Sequence, residues 1–103
     1  MSRLRISTDA DDDLAHLYRQ GVGLFGVLQA DRYIDELLAA LDLISTFPRM
    51  ARLRHDIDPP VWAYPFKAHV ILYDIDDHGD VLVVRIRHAH EDWQETSAGA
   101  DAP

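Results

Sequence analysis

One segment of the chain, residues 27–47, constrains the fold more than any other. Its apolar residues recur at spacings of three and four, which places them along one face of an α-helix. The predicted inward face contains Val27, Ala30, Ile34, Leu37, Leu38, Leu41 and Ile44. Pro48 follows and ends the helix, because proline lacks the N–H that a helix interior requires. A helix with this pattern must bury its apolar face against another element.

A second helical pattern precedes this segment with almost no room for a loop. We expect it to begin after Thr8 as N-cap, with Asp11 placed as in a capping box, and to end at Gly26. The predicted inward stripe contains Leu14, Leu17 and Tyr18. Two helices joined directly at a glycine fold back on each other, so the sequence predicts an antiparallel helical hairpin.

Aspartates cluster at the start of this first helix, at positions 9 and 11–13. Carboxylates are favourable there because the helix dipole places partial positive charge at the N-terminus. A metal site is the alternative interpretation, and helix initiation alone explains the cluster more simply.

The other regular segments read as strands. They are residues 4–7, with Leu4 and Ile6 inward, then 61–66, 69–75 and 81–88. The segment 69–75 is apolar on both faces, which predicts a central strand that is covered on both sides. Pro65 favours an edge position or a bulge for the strand 61–66. We expect residues 49–60 to form an irregular connector, because Pro59 and Pro60 exclude regular structure there.

Together these elements predict an α+β fold with the order β-α-α-β-β-β. The helical hairpin packs on one face of a small, mostly antiparallel sheet and leaves the other face open. At 103 residues the chain is expected to form a single domain, over residues 1–93. The small and polar residues 94–103 are expected to form a disordered tail.

Composition excludes several classes of function. The net charge of −8 disfavours direct binding of nucleic acid, and cysteine is absent, so thiolate metal sites are excluded. No signal peptide or membrane-spanning stretch is evident, so we expect a cytoplasmic protein without membrane association. We expect no cofactor, and no catalytic sequence motif stands out.

Cationic residues concentrate in two places despite the acidic composition. Arg49, Arg52 and Arg54 form a basic island after the second helix, and Arg85 and Arg87 lie in the last strand. We expect Leu82, Val84 and Ile86 to face the helices, so that Arg85 and Arg87 project from the open face. The alternative is that both arginines pair with nearby acids such as Asp74 or Asp76.

Histidines follow these arginines at positions 88 and 90. A His-x-His pair can bind a metal, but a full ligand set with fixed spacing is not evident, and we expect no metal. Arg85, Arg87, His88 and His90 could also serve acid–base cleavage of RNA. The single lysine and the negative net charge count against that activity.

The ordered motifs of the chain resemble the ParE branch of the RelE/ParE toxin superfamily. The residues that carry the resemblance are Asp13-Leu14, Phe25-Gly26, Gln29-Ala30 with Tyr33, Pro48-Arg49, and Arg85-Ile86 with His88 and Asp92. The resemblance runs through residues 4–93. Within this pattern Gly26, His88 and Asp92 are expected to be structural, with His88 and Asp92 fixing the end of the last strand.

The resemblance implies the toxin of a bacterial toxin–antitoxin pair, neutralised by a ParD-like antitoxin and inhibiting DNA gyrase by binding. Such a toxin is a protein-binding inhibitor rather than an enzyme. One alternative is a RelE-like endoribonuclease that cuts mRNA on the ribosome, although the lysines and the C-terminal tyrosine of that branch are missing. Another alternative is a non-toxic module that only binds an antitoxin.

We expect the antitoxin to contact cationic and aromatic residues on the open face of the sheet. The predicted contact residues are Arg49, Arg52, Arg54, Trp62, Tyr64, Arg85 and Arg87. Arginine and aromatic side chains commonly dominate binding energy, and antitoxin tails are commonly acidic. The alternative is that Trp62 and Tyr64 belong to the core.

Overall fold

The computed structural model of the chain describes residues 3–89. Its elements, in chain order, are β1 (Leu4–Ile6), α1 (Thr8–Phe25), α2 (Val27–Thr46), β2 (Arg52–Arg54), β3 (Val61–Phe66), β4 (His69–Ile75) and β5 (Val81–His88). The predicted tail and part of the predicted domain lie outside the described residues.

The strands form one mixed sheet in the order β1-β5-β4-β3-β2. β1 pairs with β5 in parallel, and the other neighbours are antiparallel. The predicted α+β class is confirmed. The prediction of a wholly irregular connector was wrong, because residues 52–54 form β2 and pair with β3. Pro65 lies beyond this pairing, where its missing N–H interrupts no bond to β2.

The helices form the predicted hairpin, and Gly26 is the residue that turns the chain. Its φ of 91° lies in a region that glycine adopts at low cost, and its N–H bonds to the Val22 carbonyl. The cap at the other end differs from the prediction. Ser7, not Thr8, accepts the N–H of Ala10, because Thr8 is already the first helical residue.

The main core lies between the hairpin and the sheet. Leu37, Leu41 and Ile44 of α2 pack there against buried residues of β4 and β5. Two members of the predicted stripe, Val27 and Leu38, are instead exposed, because the observed contact face of α2 is narrower than the apolar pattern. Leu4 packs against this core as predicted, whereas Ile6, in the short edge strand β1, is exposed.

β4 is buried on both faces, as its sequence predicts. Ile71 and Tyr73 belong to the main core, and Val70 and Leu72 belong to a second cluster on the face away from the helices. Ile57 of the connector packs into this second cluster with an exposed fraction of only 1%. The chain itself therefore covers part of the face that was predicted to be open.

A β-bulge interrupts the pairing of β4 with β5. Leu72 pairs with Arg85 but Tyr73 pairs with Val83, so Val84 is an extra residue. The extra residue resets the alternation of side chains. Val83 and Ile86 consequently both belong to the main core, while Val84 packs on the second cluster. The prediction that Val84 faces the helices was therefore wrong, because strict alternation does not anticipate the bulge, whereas the prediction for Ile86 is confirmed.

Within residues 3–89, neither helix is long and apolar enough to span a membrane.

Candidate partner-binding surface

Arg85 does not project freely from an open face. Its guanidinium donates two hydrogen bonds to the carboxylate of Asp13 on α1, at 2.8 and 3.0 Å. The same carboxylate accepts the backbone N–H of Ile86 at 2.9 Å. The position of Arg85 in β5 agrees with the predicted face, because it pairs with Leu72 of the second cluster. The prediction missed that an aspartate at the helix start lies within reach of the guanidinium. The alternative of pairing with an acid was right in kind, but Asp13 is the partner rather than Asp74 or Asp76.

Trp62 and Tyr64 lie on the helix-facing side of the sheet, which contradicts the predicted open aromatic face. Both are half-buried against the main core. The Trp62 ring stacks at 6.3 Å from that of buried Tyr73. Strand register explains the placement, because Trp62 pairs with Tyr73 and directly opposed side chains lie on the same face.

The basic island is divided by its local structure. Arg49 and Arg52 are exposed, whereas Arg54 is half-buried and bonds both oxygens of Asp56, at 2.9 and 2.6 Å. The hydrogen bond from Arg54 holds the pKa of Asp56 below its usual value. Arg52 and Arg54 pair with Ala63 and Val61 of the second cluster, so they lie on the face opposite Trp62 and Tyr64. The predicted contact residues therefore do not form one surface.

Four large exposed apolar side chains lie together at the turn between the helices. The hairpin tip, defined as residues 24–28, exposes Leu24, Phe25, Val27 and Leu28 by 67%, 63%, 53% and 84%. Contiguous exposed apolar surface on a small protein commonly marks an interaction site. The hairpin tip was not among the predicted contact residues.

A cavity of about 390 Å³ continues inward from the hairpin tip. This apolar cavity lies between α1, α2 and the adjoining ends of β4 and β5, and Leu17, Gly21, Leu24, Phe25, Ala30, Tyr33, His69 and His88 are among its lining residues. Tyr33 and His69 share a hydrogen bond of 2.7 Å between the phenol oxygen and Nδ1. Burial is the main cause that raises the pKa of Tyr33 above its ordinary value.

A second, polar cavity adjoins the first. β1 pairs only with Val81–Val83, so β5 extends past β1 toward His88 and borders this edge cavity. The edge cavity also measures about 390 Å³ and is lined by Asp13, His16, Leu17, Gln20, His69, Ile86, Arg87 and His88. Arg87 is half-buried and His88 is exposed, with its ring centroid 5.3 Å from that of His69.

Other predicted residues cannot be compared with the structure. His90 and Asp92 lie outside the described residues, so their predicted roles stay predictions. Within residues 3–89, no three histidine, aspartate or glutamate residues are grouped so that they could hold a metal ion. The expectation of no metal and no cofactor stays a prediction for the whole chain.

The hairpin tip could have been found from the sequence. Residues 24–28 read Leu-Phe-Gly-Val-Leu, so four large apolar residues surround a glycine that must turn the chain. Tight turns are usually exposed and polar, which makes such a composition a signal of an exposed apolar surface. The sequence carries no comparable signal for the two cavities, because both are lined by residues of α1 and of β4 and β5, and α1 lies far from these strands along the chain.

Comparison with known proteins agrees with this architecture. The family model described as "ParE toxin of type II toxin-antitoxin system, parDE" matches residues 4–93. Toxin ParE1 from two strains of Mycobacterium tuberculosis is 30% identical over 91 residues, covering 88% of this chain and 93% of the relative. A solved structure of the chromosomal ParDE system from P. aeruginosa superposes with a TM-score of 0.74 at 17% identity, covering 85% of this chain and 96% of that one.

The helical hairpin on a mixed sheet thus defines a toxin fold. The family match covers most of the chain, so the chain belongs to the ParE toxin family and is the toxin of a ParDE type II toxin–antitoxin system. The predicted resemblance is confirmed. A ParD-type antitoxin partner follows from membership of this family.

Proposed function

We propose that this toxin acts by binding DNA gyrase and that a ParD-like antitoxin neutralises it by covering the hairpin tip and the adjoining cavities. The observation that carries binding, rather than catalysis, is the exposed apolar surface of Leu24, Phe25, Val27 and Leu28. Gyrase as the target rests on the family resemblance. The proposal requires no metal and no cofactor.

The placement of Arg85 supports this proposal over ribonuclease activity. An enzyme that cleaves RNA needs cations to hold the scissile phosphate. Asp13 bonds the Arg85 guanidinium through two oxygens and competes directly with any phosphate for that group. The overall charge of −8 further weakens attraction to RNA.

Expression of the chain without an antitoxin tests the proposal. We expect growth arrest, and with purified gyrase we expect supercoiling to fall as toxin is added and to return when the antitoxin is supplied. Supercoiling that is unaffected at an excess of folded toxin would rule out gyrase inhibition. Normal growth at full expression would instead favour the non-toxic binding module.

A second candidate function is ribosome-dependent cleavage of mRNA, which one observation favours. The edge cavity brings together His16, Arg87 and His88, which are residue types that can move protons and contact phosphate. Mapping of mRNA ends during expression tests this activity. Cleavage that is lost in both His88→Ala and Arg87→Ala would establish it, and intact mRNA during growth arrest would exclude it.

A further inference from the structure

The apolar cavity and the edge cavity adjoin each other and have opposite chemical character. They share four lining residues, namely Leu17, Gln20, His69 and His88. A ligand that spans both would meet apolar side chains on one side and an arginine with imidazoles on the other. Such a pair of neighbouring subsites selects a ligand that carries an apolar group close to an anionic one.

The apolar part is suited to a macromolecule rather than to a small ligand. Its lining residues Leu24 and Phe25 are exposed by 67% and 63%, and apolar surface continues outward to Leu28. A bulky side chain could enter the cavity while its neighbours cover the hairpin tip. Burial of apolar area of this kind is the main source of affinity between proteins.

The edge cavity is suited to a carboxylate. Arg87 supplies a positive charge, and the imidazoles of His16 and His88 supply further N–H donors. Asp13 also borders this cavity, but its carboxylate already accepts bonds from Arg85 and from the Ile86 N–H. A nucleic acid is a weaker candidate. The cavity is lined by one arginine and the chain carries a net charge of −8, so a polyanion is attracted poorly.

We propose that the two cavities together bind one segment of the ParD-like antitoxin, in which a bulky apolar residue is followed or preceded within a few positions by an aspartate or glutamate. The apolar side chain enters the apolar cavity, and the carboxylate contacts Arg87 in the edge cavity. This inference rests on the proposed neutralisation and specifies its chemistry: Arg87 selects the acidic residue, and the hairpin tip supplies most of the buried area.

The test measures the affinity of the full chain for the purified antitoxin encoded by the neighbouring reading frame. Leu24→Asp and Arg87→Ala should each weaken binding by about tenfold or more, because one removes apolar burial and the other a charge pair. Leu43→Asp on α2 and Arg5→Ala on β1 are matched controls on exposed residues that line neither cavity. Both controls should bind within about twofold of the parent, and thermal melts should show that all four variants fold.

Charge reversal identifies the acidic partner. Arg87→Glu should abolish tight binding, and an antitoxin in which one aspartate or glutamate is replaced by arginine should restore it. Rescue that requires a large apolar residue near that position in the antitoxin supports the two-part motif. If no single replacement of an aspartate or glutamate in the antitoxin restores binding to Arg87→Glu, the proposed contact with Arg87 is overturned.

Three other results overturn the inference. Equal affinities of Leu24→Asp and Leu43→Asp would show that the antitoxin does not use the hairpin tip. A dimer of the isolated chain that Leu24→Asp dissociates would show that a second copy occupies this surface. Failure of the parent chain to bind the antitoxin at all would refute neutralisation itself, whereas tight parent binding with unaffected cavity variants refutes only the site.

Discussion

The two ends of the helical hairpin use apolar residues in opposite ways. At the base, where α1 begins and α2 ends, Leu41 and Ile44 are buried against the sheet with exposed fractions of 3% and 0%. At the hairpin tip, Leu24 and Leu28 are largely exposed. Phe47 at the base is also exposed, by 58%, but residues 24–28 contribute no buried side chain to the main core, whereas the base does.

Polar contacts follow the same division. At the base, Arg85 bonds Asp13, and the Tyr73 hydroxyl donates to the Pro48 carbonyl at 2.6 Å, so both helices are tied to the sheet. Nearer the tip, Tyr18 donates to Asp31 at 2.7 Å, which ties one helix only to the other, and the Tyr33–His69 hydrogen bond joins α2 to the sheet only beyond the tip. The base therefore holds the fold together, and the tip is left available to a partner.

The largest expected effect is the loss of a buried leucine at the base. Leu41→Ala should lower the free energy of unfolding by roughly 2–5 kcal/mol, because it removes buried methyl groups and leaves a cavity. Urea denaturation followed by circular dichroism measures the change. A loss below about 1 kcal/mol would mean that the base is not the stabilising end.

Removal of the carboxylate that links α1 to β5 should have the next largest effect. Asp13→Ala leaves the half-buried Arg85 guanidinium and the Ile86 N–H without this acceptor, so we expect a loss of about 1–3 kcal/mol. Asp56→Ala is the matched control, because it breaks the exposed and local pair with Arg54. The same denaturation experiment should show no measurable change for the control.

The hydrogen bond between Tyr73 and Pro48 should contribute less. Tyr73→Phe leaves the Pro48 carbonyl without its donor and should cost about 1–2 kcal/mol near pH 7. Burial raises the pKa of Tyr73 to about 12 from 10.0. Between pH 10 and about 12, Tyr73 therefore ionises in the unfolded chain but stays neutral in the folded one. This difference should lower the parent's free energy of unfolding by up to about 1.4 kcal/mol per pH unit.

Comparison of stability against pH for the parent and for Tyr73→Phe isolates this effect. The curves should converge as pH rises, because the parent loses stability that the variant cannot lose. A constant separation up to pH 12 would show that the phenol ionises equally in the folded and unfolded chains.

The smallest expected effect on stability is at the hairpin tip. Leu28→Ala should change the free energy of unfolding by no more than about 0.5 kcal/mol, because the side chain is 84% exposed. Measured beside Leu41→Ala, it compares the same chemical change at the two ends of one helix. Equal losses for the two variants would eliminate the distinction between base and tip.

Local patterns made much of the fold predictable. The spacing of apolar residues indicated α2, and Gly26 indicated the hairpin. The double-sided apolar pattern of β4 indicated its central place. The short strand β2 was missed because three residues carry too little periodicity, and its position depends on pairing with β3.

The candidate site was much less predictable. Trp62 and Tyr64 were assigned to the wrong face because a strand pattern shows which residues share a face but not which face meets the helices. The contact of Arg85 was missed because alternation gives the face of a side chain but not a distant partner such as Asp13. The hairpin tip had a readable signal in its composition, whereas the contact between Tyr33 and His69 had none.

The sequence by itself determined the helices, the main strands and the family, because each is encoded in short-range spacing and ordered motifs. Only the tertiary structure decided which apolar residues are buried, which partner holds Arg85 and where the two cavities meet. The physical reason is the separation along the chain. Asp13 and Arg85 are 72 residues apart, and their contact exists only after the hairpin has packed on the sheet and the bulge has set the register of β5.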